Sequence, residues 1–490
     1  MKHTITILPQ NVTLEASHGE NLLKILRTAG LAPDAPCGGN GKCGKCTARV
    51  DGVQLLTCGY AVESDIQLEL KEKKSTAILT AGQSTEVPLD PVKPGYLIAM
   101  DIGTTTVVCF LLSPEGEELT VESMLNPQQP FGADVISRIQ NALAGEQTAL
   151  TEAIRKGAGD LIAACCSKAK ISPAEISVVS VVGNPCMQQL FLGISPRNLA
   201  AVPFAPVLTQ AELLPAAQYL PICTNAVLLN VPDISGYVGG DTMACVIASK
   251  MYASHQTILM VDIGTNGEMV LCHNGRMSAC STAAGPALEG ANIRFGMRGG
   301  PGAIDHVWTE NGQTKYSVIG GGAPQGICGS GIIDAVATAL NQKQINKRGR
   351  IQNTEEMDGQ RIFPLGGGIY LNQEDIRQVQ MAKGAIAAGI HLMCGQLGIT
   401  PEEIDQVILA GAFGSFLSPE NACRIELLPS QLLSKIQAAG NLAGAGARMM
   451  ALNKEEFWKT RTLLERIEFI ELASLPAFQR TFAKCMNFTE

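Results

Sequence analysis

Four cysteines in the N-terminal segment are the residues best suited to carry chemistry. They are separated by five, two and eleven residues, within the segments CGGNGKCGKC and LLTCGY: Cys37, Cys43, Cys46 and Cys58. Thiolates at such spacing can converge on one soft metal centre, either iron–sulfur or zinc. The other cysteines among the 16 are scattered along the chain, which is typical of small buried side chains in a reduced protein.

The spacing favours a [2Fe–2S] cluster over zinc. Plant-type ferredoxins use C-x4-C-x2-C with a distant fourth cysteine, and the first gap is one residue longer here. Zinc knuckles usually pair two C-x2-C units or add histidine, whereas this loop has one such unit and no histidine. Four glycines permit positive φ, so that backbone N–H groups can turn toward the sulfurs: Gly38, Gly39, Gly41 and Gly44.

The elements around the cysteines predict a small mixed domain. TITIL (4–8) and NVTLE (11–15) alternate with period two around Pro9-Gln10, which predicts a hairpin. Residues 20–29 predict a short amphipathic helix stopped by Gly30, and strands are predicted near 48–53 and 66–70. This order resembles a β-grasp ferredoxin over residues 1–75. The polar, proline-bearing residues 76–95 are interpreted as a linker.

Two later segments share an Asp-Ile-Gly-Thr turn. LIAMDIGTTTVVCFLL (97–112) and LMVDIGTNGEMVLC (259–272) each predict an apolar strand, a tight turn and a second strand, which indicates an internal duplication. Such turns can bring backbone N–H groups and polar side chains to a phosphate, and Asp101 and Asp262 could hold Mg²⁺ or orient a water. The predicted phosphate contacts are Thr104, Thr105 and Thr106 in the first turn, and Gly264, Thr265, Asn266 and Gly267 in the second.

A third element follows in the order that a nucleotide fold requires. VILAGAFGSFL (407–417) predicts a strand that enters a glycine turn, and GNLAGAGARMM (440–450) predicts a small-residue helix. Together with the two turns, these segments resemble the acetate and sugar kinase/Hsp70/actin superfamily. The resemblance implies an α/β, ribonuclease H-like domain of two lobes that close on ATP, here residues 96–256 and 257–490. It places Gly411 to Gly414 at adenosine and makes Asp241 a candidate Mg²⁺ or water contact, although a helix N-cap would explain Asp241 equally well.

Composition excludes several classes of function. A net charge of −8 and a pI near 5.5 leave no basic surface for nucleic acid. No run of 18 uncharged apolar residues predicts a membrane span, and the N-terminus lacks the apolar core of a signal peptide, so a cytoplasmic protein is expected.

The ferredoxin-like head joined to these loops resembles the reductive activators of corrinoid proteins, an α+β and α/β multidomain family. Four further segments carry the resemblance: NPQQPFGADVISRI (126–139), VGNPCM (182–187), CSTAAGPALEGANIRFGMRGGPGAID (280–305) and GICGSGIIDA (326–335). Their polar residues to inspect first are Asn126, Asp134, Arg138, Asn184, Glu289 and Ser330, each of which could instead be a cap or a satisfied buried group. Larger members have a middle domain between cluster and nucleotide lobes, for which this sequence shows only the linker.

The resemblance implies a function. An external low-potential donor would reduce the cluster, and ATP would control transfer of one electron to a corrinoid protein, converting Co(II) to Co(I). A mismatch of 100 mV costs about 2.3 kcal/mol per electron, which ATP can supply. The alternatives are an ATP-dependent activator of another low-potential enzyme, a small-molecule kinase with a redox sensor, and a nucleotide-gated binding protein with a structural cluster. A homodimer is left open.

Overall fold

The structure, a computed structural model, describes residues 2–8, 11–33, 35, 37–41, 44–70, 86–352, 355–357 and 359–489, with the backbone alone at 412 and 413. The chain divides into two compact units. The first contains the described residues up to 70 together with 88–240 and 450–457; the second contains 86–87, 241–449 and 458–489.

The N-terminal part of the first unit is the predicted β-grasp fold. Its described strands form a mixed sheet in the order β2-β1-β7-β4-β5, in which β1 pairs antiparallel with β2 and parallel with β7. Helix α1 begins after an Asn21 cap and buries the four apolar residues that its periodicity predicts, Leu22, Leu23, Ile25 and Leu26. The elements are β1 (Lys2–Leu8), β2 (Val12–Ser17), β3 (Glu20–Asn21), α1 (Leu22–Thr28), β4 (Thr47–Val50), β5 (Val53–Leu56), β6 (Ala61–Val62) and β7 (Ile66–Glu69).

The hairpin of β1 and β2 confirms the period-two prediction, although its Pro9-Gln10 turn lies outside the described residues. Of the predicted linker, residues 86–95 are described. Its end is bound to the first unit, because the Asp90 N–H donates to the Leu452 carbonyl (2.9 Å) and the Lys454 N–H donates to the Asp90 carbonyl (2.8 Å).

The rest of the first unit is a sheet with helices. Strands β8, β9 and β10 form an antiparallel meander, and β11 and β13 continue the sheet parallel to β8. The elements are β8 (Tyr96–Ile102), β9 (Thr106–Leu112), β10 (Glu118–Leu125), α2 (Val135–Asn141), α3 (Gln147–Ala169), β11 (Ile176–Gly183), α4 (Pro185–Leu192), β12 (Glu212–Pro215) and β13 (Val227–Asn230).

The second unit repeats this topology. Strands β14, β15 and β16 form the meander, and β23 and β24 extend it parallel to β14. The elements are α5 (Gly240–Ser249), β14 (Ile258–Ile263), β15 (Gly267–His273), β16 (Arg276–Thr282), β17 (Ala303–Glu310), β18 (Gln313–Val318), β19 (Gly326–Ile327), α6 (Gly329–Asn341), β20 (Glu356–Met357), β21 (Gln360–Gly366), β22 (Ile369–Asn372), α7 (Gln373–Leu397), β23 (Gln406–Ala410), α8 (Gly411–Phe416), α9 (Pro419–Arg424), β24 (Ile436–Gly440), α10 (Leu442–Leu452), α11 (Lys454–Arg466), β25 (Ile467–Phe469) and α12 (Phe478–Cys485).

Both sheets therefore have the ribonuclease H-like strand order 3-2-1-4-5, which confirms the predicted fold class and the duplication. The ferredoxin-like part and each of the two sheets bury their own aliphatic cluster. No helix in the described ranges is long and apolar enough to cross a bilayer.

Candidate functional site

The cysteine loop lies between α1 and β4. Cys46 is buried just before β4, and Cys58 lies in a single 3-10 turn after β5. The N–H and the hydroxyl of Thr57 both donate to the Cys46 carbonyl, at 2.8 and 3.1 Å, so these two ligand-bearing segments are tied together. The pKa of Cys58 is raised to about 11, first by burial, then by hydrogen bonding to and charge on Cys46, with Cys37 adding to the effect.

Two of the other predicted ligands, Cys37 and Cys46, thus interact with Cys58. Within the described part of the chain, no three His, Cys, Asp or Glu side chains form a closed metal site, and the fourth predicted ligand, Cys43, lies outside it. The mutual destabilisation of neighbouring thiolates is what a positive metal centre relieves, so these residues fit an iron–sulfur cluster.

The loop backbone has the conformation that the glycines predict. All four have positive φ: Gly38 at 67°, Gly39 at 95°, Gly41 at 73° and Gly44 at 64°. A backbone hydrogen bond from Gly41 to the Cys58 sulfur opposes the rise of the thiol pKa. This confirms that the backbone donates to at least one sulfur, an arrangement that stabilises the charge of a cluster.

The first Asp-Ile-Gly-Thr turn joins β8 to β9 and is braced through its carbonyl groups. Asn126 donates to the carbonyls of Gly103 (side chain, 2.8 Å) and Thr105 (N–H, 2.9 Å). Arg138, whose side chain is fully buried, donates to the Thr104 carbonyl. In a trans peptide the C=O and the following N–H point in opposite directions. The N–H groups of Thr104 and Thr105 therefore point away from the side chains that bind these carbonyls, and phosphate oxygens could accept hydrogen bonds from them.

Two amide side chains also donate hydrogen bonds to this turn. The Asn184 amide, which also caps α4, donates to the Thr104 hydroxyl at 2.9 Å, and the Gln129 amide donates to the Thr105 carbonyl at 2.9 Å. Asp101 is the second-last residue of β8 and is partly exposed, and Thr106 begins β9. The backbone of the first turn is therefore held rigidly by these hydrogen bonds.

The second turn joins β14 to β15 and contains an unsatisfied hydroxyl. The Gly264 N–H donates to the Asn266 carbonyl at 2.8 Å, which closes the turn. Within the described residues, Thr265 Oγ1 is buried and has no hydrogen-bond partner. Gly267 is required sterically, because a Cβ there would lie 2.8 Å from the Thr282 hydroxyl. An unpaired buried hydroxyl costs stability unless a ligand satisfies it.

Four carboxylates interact around this second turn. The pKa of Asp262 is raised to about 7 by desolvation, then by the charges of Asp241 and Glu289. The pKa of Glu268 is raised well above its usual value by desolvation and by Asp262 and Asp241, against a hydrogen bond from Asn266. Mg²⁺ prefers carboxylate oxygens as ligands, and a divalent cation would relieve the repulsion among these groups, so they fit a Mg²⁺ site.

Asp241 lies in the first turn of α5, where its carboxylate accepts from the Thr242 N–H at 2.8 Å. Its charge reaches Asp262 and Glu268, so it belongs to the acidic group of the second turn.

The predicted adenosine loop begins a short helix, α8, where a glycine turn was predicted. Gly411 has φ of 79°, and a Cβ there would lie 2.5 Å from Asp262 Oδ1, so only glycine lets β23 pass beside this carboxylate. Gly414 packs its backbone against Leu409, a packing role. The predicted small-residue helix is α10, in which Gly446 lies directly against the Ala244 carbonyl of α5.

The other polar residues divide into braces and ordinary structural groups. Asp134 caps α2, and Ser330 donates to the Asp305 carbonyl at 2.8 Å. Sequence reasoning missed Glu268 and Gln129. Glu268 directly follows the second turn and pairs with Asp262 across the hairpin. The first hairpin has Val107 at the corresponding position, so a charged residue in place of an apolar one was the available signal.

Comparisons with known proteins agree with this architecture. A family model described as a 2Fe-2S iron-sulfur cluster binding domain matches residues 5–77. The RACo middle region matches residues 96–254, and the "C-terminal domain of RACo the ASKHA domain" matches 256–490. The family's middle region therefore falls on the segment predicted as the first lobe, residues 96–256.

Two relatives and one solved structure are similar over much of the chain. Corrinoid activation enzyme RamQ of Eubacterium limosum is 32% identical over 96% of both chains. The [Co(II) methylated amine-specific corrinoid protein] reductase of Methanosarcina barkeri is 28% identical over 73% of this chain and 70% of that protein. The solved structure of a reductive activator for a corrinoid, iron-sulfur protein superposes with a TM-score of 0.73 and 26% identity, covering 99% of this chain and 98% of the other. The chain belongs to the family of corrinoid activation enzymes.

Proposed function

We propose that this protein uses ATP to deliver one electron to a corrinoid protein, converting its Co(II) to Co(I). The observation that carries the proposal is that one chain combines a ferredoxin-type cysteine loop with two Asp-Ile-Gly-Thr turns on duplicated sheets. The names of the relatives, a corrinoid activation enzyme and a Co(II) corrinoid protein reductase, support the choice of electron acceptor. The domain limits are proposed as 1–75, 76–95, 96–256 and 257–490.

Cys37, Cys43, Cys46 and Cys58 would hold the [2Fe–2S] cluster, which when bound supplies the one-electron step. The chain's own contribution is the loop backbone. The Gly41 N–H faces the Cys58 sulfur, and Thr57 fixes the spacing of Cys46 and Cys58. The external electron donor must be a low-potential carrier, because the cluster of such a loop is itself reduced only at low potential.

The two turns would bind the nucleotide in different ways. The N–H groups of Thr104 and Thr105, with Thr106, would donate to phosphate oxygens. Around the second turn, Asp262 and Asp241 would hold Mg²⁺ or orient a water, and Thr265 Oγ1 would gain the partner it lacks. A bound cation would return the pKa of Asp262 toward its ordinary range, so that the carboxylate is charged when nucleotide is present.

ATP is needed because cobalt reduction is uphill from a ferredoxin-type centre. Each 100 mV of mismatch costs about 2.3 kcal/mol, and nucleotide binding can drive transfer only through its different affinity for two states of the protein. Residence in the cytoplasm and pairing as a homodimer stay predictions.

The test is an anaerobic mixture of the reduced protein with a Co(II) corrinoid protein, followed by the Co(I) absorption with and without Mg-ATP. We expect Co(I) only with Mg-ATP. Cys58→Ser should abolish Co(I) formation while nucleotide binding is retained. Cys485→Ser, a matched control on α12 remote from the loop in sequence, should behave as the native protein. Equal Co(I) without ATP, or loss of nucleotide binding in Cys58→Ser, would overturn the proposal.

A further inference from the structure

The cysteine loop is bound to the neighbouring sheet domain by one arginine, within the first compact unit. Arg27 lies in the last turn of α1, and its Nη2 donates to the Gly38 carbonyl at 2.8 Å, next to the predicted ligand Cys37. Its Nε donates to the Pro130 carbonyl at 2.7 Å, and its guanidinium stacks 5.1 Å from the centre of the Phe131 ring. One side chain therefore contacts the loop and the segment 130–131 at once.

A second side chain makes the same connection. The Asn141 amide, at the end of α2, donates to the Phe131 carbonyl and to the Gly38 carbonyl, the latter at 3.4 Å. Gly38 has positive φ, and any side chain there would collide with Asn141. The loop thus fits closely against residues 130–141.

The segment contacted by Arg27 is also the segment that braces the first Asp-Ile-Gly-Thr turn. Gln129 donates to the Thr105 carbonyl at 2.9 Å. Arg138 donates through Nε to the Gly132 carbonyl at 2.9 Å and through Nη2 to the Thr104 carbonyl. Hydrogen bonds therefore join the turn to residues 129–132, and the side chains of Arg27 and Asn141 join residues 129–132 to the cysteine loop.

We propose that Arg27 is a positioning residue that couples the first turn to the cysteine loop, so that nucleotide held by Thr104 and Thr105 alters the surroundings of the cluster. This inference rests on the proposed function, in that the turn binds nucleotide and the loop binds the cluster.

The physical reason is the rigidity of the connection. Arginine presents its donors in a planar fork, so Gly38 and Pro130 cannot move independently without breaking a hydrogen bond. A displacement of Thr104 or Thr105 must either break buried bonds to Gln129 and Arg138 or be transmitted to residues 129–132. The potential and spectrum of an iron–sulfur cluster depend on the hydrogen bonds and charges near its sulfurs, so a small movement of the loop is measurable.

The experiment compares the full-length protein with Arg27→Gln and with Arg49→Gln. Arg49 is a matched control, since it lies on β4 of the same domain and, among the described residues, its side chain makes only a long ion pair with Glu69 (4.0 Å). Cluster circular dichroism, the electron paramagnetic resonance of the reduced cluster and its midpoint potential are measured with and without Mg-AMPPNP, and Mg-AMPPNP affinity is measured by calorimetry. We expect a nucleotide-induced shift in the native protein and in Arg49→Gln, and loss of that shift in Arg27→Gln with cluster content and nucleotide affinity retained.

Asn141→Ala tests the same connection without altering the ferredoxin-like domain, should Arg27→Gln fail to retain its cluster; a reduced shift is expected. A full nucleotide-induced shift in Arg27→Gln would overturn the proposal. If Arg27→Gln has lost its cluster, a full shift in Asn141→Ala would overturn it. The proposal also fails if the native protein contains the cluster and binds Mg-AMPPNP but shows no shift. Failure of the native protein to bind nucleotide or assemble a cluster would instead overturn the proposed function, and the coupling with it.

Discussion

The two Asp-Ile-Gly-Thr hairpins have the same strands and the same turn, yet their surroundings differ in kind. The first turn is braced by neutral amides and a buried arginine, which bind the carbonyls of Gly103, Thr104 and Thr105. The second turn has an unpartnered buried hydroxyl at Thr265 and is surrounded by carboxylates that raise one another's pKa.

This difference shows that the two copies of a duplicated motif can have different chemical roles. A turn whose carbonyls are fixed presents N–H groups and suits phosphate, whereas a turn among several neighbouring carboxylates suits a cation. In the family's own division, the first belongs to the middle region and the second to the C-terminal ASKHA domain.

The largest expected effect separates the two aspartates. Asp262→Asn should lower ATP hydrolysis by about 100- to 1000-fold, the loss typical of one preorganised charged group. Asp101→Asn should lower it by only about 10-fold, because the backbone donors of the first turn remain. Steady-state phosphate release by both variants, with Mg-ATP affinity as control, measures this. Equal losses in the two variants would contradict the division of roles.

The next effect concerns the braces of the first turn. Arg138→Met removes the donor to Thr104 and Gly132 from a fully buried position and should cost about 2–3 kcal/mol of unfolding free energy. Arg155→Met is the matched control, since Arg155 lies on α3 of the same domain, is partly exposed and donates to the Phe191 carbonyl. Its cost should be about 1 kcal/mol. Urea unfolding compares them, and equal costs would show that the brace adds nothing.

The sequence predicted both Asp-Ile-Gly-Thr hairpins but not the difference between their surroundings. The hairpins around Asp101 and Asp262 follow from local apolar periodicity and a turn motif, both of which are written in consecutive residues. The brace from Arg138 and the charge of Asp241 at Asp262 come from distant positions that only the folded sheet brings together.

The glycine motifs show the same limit. Gly411 was expected to contact adenosine, but its position beside the Asp262 carboxylate depends on the parallel pairing of β14 and β23. Periodicity cannot reveal which strand will be the neighbour. The cysteine ligands were accessible from sequence because their spacing is short, whereas the contact of Arg27 with Pro130 spans two domains.

A smaller effect distinguishes the two threonines. Thr104→Val leaves the Asn184 amide without its acceptor and should cost about 1–2 kcal/mol of stability. Thr265→Val should stabilise the nucleotide-free protein by about 1 kcal/mol, since it removes a buried hydroxyl that has no hydrogen-bond partner. It should also weaken Mg-ATP binding about 10-fold, the value of one hydrogen bond to a charged group. Thermal unfolding and calorimetry resolve the two, and a destabilised Thr265→Val would refute the distinction.

The smallest effect is on pH dependence. The pKa of Asp262 is raised to about 7, so without Mg²⁺ the folded state binds a proton that the unfolded state has released. Stability from this group is greatest below pH 4 or so and is lost as pH rises through about 7. Mg²⁺ should weaken this decline, and Asp262→Asn should lack it. Thermal unfolding at pH 5.5 and 8 measures the difference, and a native protein that gains no stability at high pH from Mg²⁺ would argue against a cation at the second turn.

The most direct measurement of the central claim is Co(I) formation by Asp262→Asn and by the native protein, each with its cluster reduced to the same extent and each given Mg-ATP and a Co(II) corrinoid protein. We expect Co(I) from the native protein and almost none from Asp262→Asn. In the variant the reduced cluster can still supply the electron, but the second turn lacks the carboxylate that would hold Mg²⁺ or orient a water. Equal Co(I) from both proteins would contradict it.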